Sequence, residues 1–176
     1  MEIQALPVTM TEEQAMEIAQ KKGNLLGRML IRDQNITLKL IYLESKELIF
    51  QMTYSSSPLS LRRKLPATQK ICILVEGTRC TPAFLDRELE AVSVQVADEG
   101  QLQACAFPEE KVVDAGKLLA RRMVRRQSGR NVSLEIKEIH SLYRPFYVAF
   151  YGEMKEGTKV RYLPIPADGN EVRRTF

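Results

Sequence analysis

Residues able to do acid–base or nucleophilic chemistry are scarce in this 176-residue chain: one histidine, His140, and three cysteines, Cys72, Cys80 and Cys105. A histidine beside a thiol can take its proton and leave a nucleophilic thiolate, so Cys80 or Cys105 with His140 as base is the conceivable catalytic pair. Nothing in their spacing brings them together. A lone histidine does not build the multi-histidine zinc site of metalloenzymes, and the cysteines lack CxxC spacing. Three cysteines form an odd set, which reads as free thiols in a reducing compartment rather than as a disulfide framework. Cys72, between Ile71 and Ile73, reads as a packed small hydrophobe.

Val75-Glu76-Gly77-Thr78-Arg79-Cys80-Thr81-Pro82 reads as a strand, a turn and a Thr81-capped helical turn started by Pro82. A phosphate-binding corner needs several glycines and a Lys-Ser/Thr pair so that backbone donors can approach the anion. Gly77 alone does not supply that.

The conspicuous polar feature is the run Lys117, Arg121, Arg122, Arg125, Arg126 and Arg130. Such cations can neutralise phosphates or an acidic protein surface. They are also what the C-terminal end of a helix favours without any partner, and Arg121 and Arg125 fall opposite an apolar stripe, as on a solvated face. Tyr147 and Tyr151 alternate with Phe146, Val148 and Phe150, so they face away from those residues and could anchor a partner or pack inside the chain. Arg121, Arg122, Arg125, Arg126, Tyr147 and Tyr151 are therefore the candidate partner-binding residues. No catalytic residue, metal ligand or cofactor is assigned.

The elements that carry these residues repeat. Asn24-Leu25-Leu26-Gly27-Arg28-Met29-Leu30-Ile31-Arg32-Asp33-Gln34 and Lys117-Leu118-Leu119-Ala120-Arg121-Arg122-Met123-Val124-Arg125-Arg126-Gln127 match, 93 residues apart, at Leu, Leu, Arg, Arg and Gln. Past an insertion near 128–130, Ile36 to Leu40 lies over Val132 to Ile136, and Phe50 to Tyr54 lies over Phe146 to Phe150. The order of elements is the same in both copies, as expected of a duplicated unit. Thr11-Glu12-Glu13-Gln14 is a capping box that opens the first helix, and Asn24 to Arg32 is either its continuation or a second helix. Pro108, Glu109 and Glu110 open the other, whose stripe is Val112, Gly116, Leu119, Ala120 and Met123.

After each helix the apolar period drops from 3.6 to 2, the mark of strands with one covered face. Leu38, Leu40, Phe50, Met52 and Tyr54 are expected on the core face of one copy, and Leu134, Ile136, Phe146, Val148 and Phe150 on that of the other. Further strands are expected at 70–75 and 158–163. Ala91 to Val96 and Gln101 to Ala106 flank Asp98-Glu99-Gly100 as a hairpin. Residues 55–69, with four serines, two prolines and Arg62-Arg63-Lys64, read as an inserted surface loop. The expectation is thus an α+β chain of two tandem repeats, 1–106 and 107–176, each a helix packed on an antiparallel sheet.

Thr11-Glu12-Glu13-Gln14-Ala15 opening a helix, the strands after it, and the turn Ala167-Asp168-Gly169-Asn170-Glu171-Val172 together resemble tandem cystatin-like modules of the PepSY type. The resemblance covers most of both halves. It implies a helix on a curved antiparallel sheet and a module that binds another protein without chemistry of its own. PepSY-type proteins are typically exported or membrane-linked, whereas this chain opens Met1-Glu2-Ile3-Gln4-Ala5 with no export-type apolar run.

The net charge of +4 is uneven. Residues 1–104 carry 12 basic and 13 acidic side chains, residues 105–176 carry 14 and 9. This falls short of the concentrated positive field of a dedicated nucleic-acid binder. No stretch reaches the roughly 20 apolar residues of a spanning helix. The sequence therefore points to a cytoplasmic, non-enzymatic protein-binding or structural module, with another protein or a second copy as partner. The alternatives are a nucleic-acid-associated protein using 117–130 and a small-molecule binder with a pocket between helix and sheet.

Overall fold

The structure, a computed structural model, describes residues 1–22, 35–54, 68–86, 88–128, 132–152 and 160–169. The elements in chain order are β1 (Glu2–Ala5), α1 (Glu12–Lys22), β2 (Ile36–Tyr54), β3 (Thr68–Glu76), β4 (Thr81–Leu85), β5 (Val92–Gln95), β6 (Leu102–Gln103), α2 (Glu109–Ser128), β7 (Val132–Tyr151) and β8 (Arg161–Pro166). The class is α+β, with a mixed sheet that outweighs its helices. Strand order is β4-β3-β2-β7-β1-β5, with β6 on β2 and β8 on β7.

Both helix starts follow from local chemistry. Gln14 N donates to Thr11 Oγ1 at 3.3 Å while Thr11 N donates to Gln14 Oε1 at 3.0 Å, a reciprocal box that satisfies two orphan amides of α1. Pro108 precedes α2 and its carbonyl accepts from Lys111 N and Val112 N; Glu109 and Glu110 occupy the positive first turn. The match at 24–34 and most of the loop at 55–69 lie outside the described residues, and Thr68 and Gln69 belong to β3.

Two compact units emerge, and they are composed differently from the sequence halves 1–106 and 107–176. The first is Met1–Leu43, Ala91–Gln103 and Tyr143–Glu171; the second is Glu44–Glu90, Ala104–Leu142 and Val172–Phe176. The difference arises because β2 and β7, of 19 and 20 residues, each begin in one unit and end in the other.

In the first unit, α1 lays Ala15 and Ala19 on Ala149, Tyr151 and Ile165, with Ile36, Leu38, Tyr147 and Leu163 around them. Two alanines leave the helix nothing to hold it off the sheet. β8 pairs antiparallel with β7 from Phe146↔Pro166 to Tyr151↔Arg161, and β1 lies between β7, parallel at Ala5↔Tyr143, and the antiparallel β5. Beyond β8, Ala167 N donates to Pro145 O, and Ala167 O accepts from Thr9 N and Met10 N. Arg144 Nε and Nη2 donate to Asp168 Oδ2 and Oδ1 at 2.7 and 3.1 Å, a bidentate pair with both residues buried.

In the second unit, α2 turns Val112, Leu119, Ala120 and Val124 onto Leu48, Phe50, Met52, Ile71, Ile73 and Val75. Each large apolar side chain fully removed from water there contributes about 1.5–3 kcal/mol. The strands β2, β3 and β4 run antiparallel, through pairs such as Phe50↔Ile71 and Ile73↔Phe84. Gly116 lets α2 close on this sheet: a Cβ there would stand 2.3 Å from Leu48 Cδ1.

Three expectations are corrected. Val132, Leu134 and Ile136 of β7 lie under α2, but at the other end the residues under α1 are Tyr147, Ala149 and Tyr151. Phe146, Val148 and Phe150 instead form a separate cluster with Ile41 and Leu43. The positions under a helix are thus even-numbered at the start of β7 and odd-numbered at its end, and adjacent exposed residues at Lys137-Glu138 and His140-Ser141 mark two places where alternation breaks. Second, 91–96 and 101–106 form no hairpin with each other. β5 takes β1 as partner and β6 takes β2, while Asp98 Oδ1 accepts from Gly100 N and tightens the link into a 3-10 turn. Third, Thr81-Pro82 begins strand β4, not a helical turn, because 81–85 completes a ladder on β3.

Candidate functional site

Arg121, Arg122 and Arg125 are exposed on α2, on the side away from its buried stripe, and Lys117 is half-buried. They form a charged helix face that could meet phosphates or carboxylates. The Arg126 side chain and Arg130 lie outside the described residues.

Tyr147 and Tyr151 are not on an open face. Tyr151 is buried under α1, its hydroxyl donates to Ala19 O at 2.8 Å, and burial raises its pKa above 10.0 against the opposing pull of Arg161. Tyr147 is half-buried in the same cluster, which consumes the area a partner would need.

His140 lies beside carboxylates, and the thiols of Cys80 and Cys105 approach backbone carbonyls. His140 Nε2 lies 3.0 Å from Glu138 Oε2 and its Nδ1 lies 3.9 Å from Glu47 Oε2. Glu47 is buried and accepts the Leu89 N–H at 2.9 Å. Cys105 Sγ approaches Phe107 O at 3.4 Å and Cys80 Sγ approaches Lys111 O at 3.7 Å, weak donor contacts to backbone. Burial raises the Cys80 thiol pKa, outweighing Lys111, which lowers it, and Cys105 raises it further. Burial and the carboxylates of Glu47 and Glu88 do the same to Cys72. Thiols held in the neutral form are poor nucleophiles. In the turn after β3, Glu76 Oε1 accepts from Thr78 N at 3.2 Å and Glu76 O from Cys80 N at 2.9 Å. The chain's own acceptors thus take the donors an anion would seek there.

What remains is a strand edge. β5 reads Val92-Ser93-Val94-Gln95, at the end of the strand order, and pairs only with β1 among the described residues. Met1 N donates to Val96 O and Val96 N to Met1 O, both at 2.8 Å, so Met1↔Val96 is a hydrogen-bonded pair. Antiparallel pairs alternate between bonded and non-bonded, so Ile3↔Val94 and Ala5↔Val92 are bonded and Glu2↔Gln95 and Gln4↔Ser93 are not. Ser93 and Gln95 consequently turn their N–H and C=O groups to the outer edge. Both are exposed, and Val92 is 44% exposed.

Outer strands elsewhere are blunted. β4 carries Pro82, and β8 carries Arg161, Pro164 and Pro166. Proline removes a ladder donor and charge discourages pairing, the usual protections of an edge. β5 has neither. The period-2, uncharged run at 91–96 is the sequence signal for this strand, and its pairing with 101–106 as a hairpin hides the outer side. No family model matches the chain, and neither a curated protein nor a solved structure matches it.

Proposed function

We propose that this chain is a non-enzymatic protein-binding module that receives an extended segment of another protein on the outer edge of β5. The observation that carries the reading is the pair of outward backbone groups at Ser93 and Gln95 on a strand without proline or charge. An added strand satisfies such groups, with affinity from main-chain hydrogen bonds and selectivity from alternate side chains. Ser93→Pro removes an outward donor and leaves the bonds to β1 in place. Isolation of bound proteins from the source cells with wild-type and Ser93→Pro protein tests the reading. A partner retained by the first and lost by the second supports it; an identical set of partners refutes it.

We also read the chain as a duplicated, cystatin-like unit in the cytoplasm. Support comes from the recurring order of helix, long strand and antiparallel strand: α1, β2, β3 and then α2, β7, β8. Each long strand starts under the helix before it, Ile36 and Leu38 under α1, Val132 and Leu134 under α2. Phe50 and Phe146 are not counterparts.

A second reading, association with nucleic acid, is favoured by the exposed Arg121, Arg122 and Arg125. It requires binding of mixed DNA or RNA that weakens steeply with salt, and absence of binding at low salt removes it.

A further inference from the structure

The chemistry of the incoming strand can be taken further, on the premise that β5 is the docking edge. Val92, Val94 and Val96 share one side of β5, and Val94 and Val96 pack with Ile3, Tyr42, Leu40 and Leu102. Ser93 and Gln95 share the other side and are exposed. In an antiparallel pair, directly opposed residues lie on the same face. A strand added to β5 therefore sets apolar residues against Val92, Val94 and Val96 and polar residues against Ser93 and Gln95. Its own main-chain groups must be free opposite Ser93 and Gln95, which excludes proline at those two places.

Charge decides what flanks that core. At the Gln95 end three exposed carboxylates outnumber one cation, the Met1 ammonium held on Val96 O: Glu2, directly across from Gln95 and bonded through its carboxylate to the Ser93 hydroxyl, then Asp98 and Glu99. The Asp98 carboxylate is engaged with Gly100 N and keeps its charge outside. For an antiparallel addition, this end meets the N-terminal side of the incoming segment. We infer that the partner is an extended segment of alternating β-branched and small polar residues, preceded by lysine or arginine.

A second copy of this chain fits worse. The two-fold register that matches valine to valine is centred on Val94, and continuing it outward sets Glu90 opposite Asp98. Like charges directly opposed in a ladder are destabilising. The face-keeping two-fold registers on either side, centred on Ser93 and on Gln95, oppose Glu90 to Val96 and Val92 to Asp98, setting a carboxylate against a valine.

The test uses the full chain and a capped peptide, Lys-Lys-Val-Thr-Val-Thr-Val, in three forms: as written, with glutamate in place of both lysines, and with the five core residues reordered so that the valines are contiguous. Binding is followed by fluorescence anisotropy and by exchange of individual backbone amides. Expected are binding of the first peptide, slowed exchange at Ser93 and Gln95, and about tenfold weaker binding to Ser93→Pro or Gln95→Pro, the loss of one main-chain bond each. The glutamate form should bind about threefold or more weaker at low salt, with the gap closing as salt rises. Slowed exchange at Ser93 and Gln95 in wild-type protein needs no variant to fold. Equal binding of the reordered peptide, protection elsewhere, no binding, or no preference for lysine over glutamate overturns the inference. So does protection of both amides in the protein alone with a doubled mass, which would make a second copy the occupant. If the peptide fails while a cellular partner is still lost with Ser93→Pro, β5 remains a docking edge and only the partner's assigned chemistry is wrong; if both fail, the edge itself is not a binding site.

Discussion

Asp168→Ala should be among the most damaging single substitutions outside the apolar core. The Asp168 carboxylate and the Arg144 guanidinium meet in two hydrogen bonds at 2.7 and 3.1 Å, with side-chain exposures of 0% and 3%. Removing the carboxylate takes two hydrogen bonds and a neutralising charge from a buried guanidinium. Breaking such a buried pair from one side costs about 3–5 kcal/mol. Against a total stability of roughly 5–15 kcal/mol, that is about a fifth or more of what holds the chain folded. With a urea dependence of about 2 kcal/mol per molar, the midpoint should fall by about 1.5–2.5 M. The double variant Arg144→Met/Asp168→Leu separates charge burial from packing. It should recover part of the loss, because neither replacement buries a charge of its own. A midpoint shift below about 0.5 M for Asp168→Ala, or a double variant no more stable than the single one, would refute the reasoning.

Three further outcomes follow from the geometry. Gly77→Ala should cost more than Gly116→Ala in urea unfolding. The new methyl at 77 would stand 2.2 Å from the Glu44 carbonyl oxygen, a backbone atom, whereas at 116 it meets the end of the Leu48 side chain and alanine regains about 1 kcal/mol of helix propensity. Tyr151→Phe should cost about 1–2 kcal/mol and speed amide exchange in α1, because the Ala19 carbonyl loses a buried donor. Burial pushes the Glu44 carboxyl pKa up, but the Lys46 ammonium, the Cys105 N–H and Ser141 outweigh it and hold the pKa below 4.5. A depressed carboxylate contributes stability that is complete above its unfolded value and is lost as pH falls through its folded value, so Glu44→Gln should flatten the decline in stability below about pH 4.5.

Sequence alone was informative where structure is local. The Thr11–Gln14 box and the stripe Val112, Gly116, Leu119, Ala120 and Met123 depend on residues within a few positions of one another, and both appear where the pattern places them. Strand pairing depends on residues far apart. Alternation announced that 91–96 and 101–106 were strands, but not that β1 and β2 would claim them. Pro82, a helix opener by local rules, sits at an outer strand of a ladder that only the folded chain supplies. The inward side of β7 is not legible beyond 137–141, because a period of two carries no memory across breaks in alternation. Tyr151 was misplaced for that reason, and the β5 edge was missed because exposure of a backbone edge belongs to a sheet rather than to a segment.

The passage of β2 and β7 from one unit into the other ties folding to the order of synthesis. The first unit draws on 143–171 and cannot close while those residues are still on the ribosome, although its helix α1 emerges early. The second unit has its strands and its helix once residue 142 is free, so the portion begun first gains its last strand after the other has all of its own. Cleavage between 106 and 107 would leave neither fragment with a whole sheet, yet the two pieces together retain every strand and should reassociate on mixing, with strand ends from one peptide completing each half of the other.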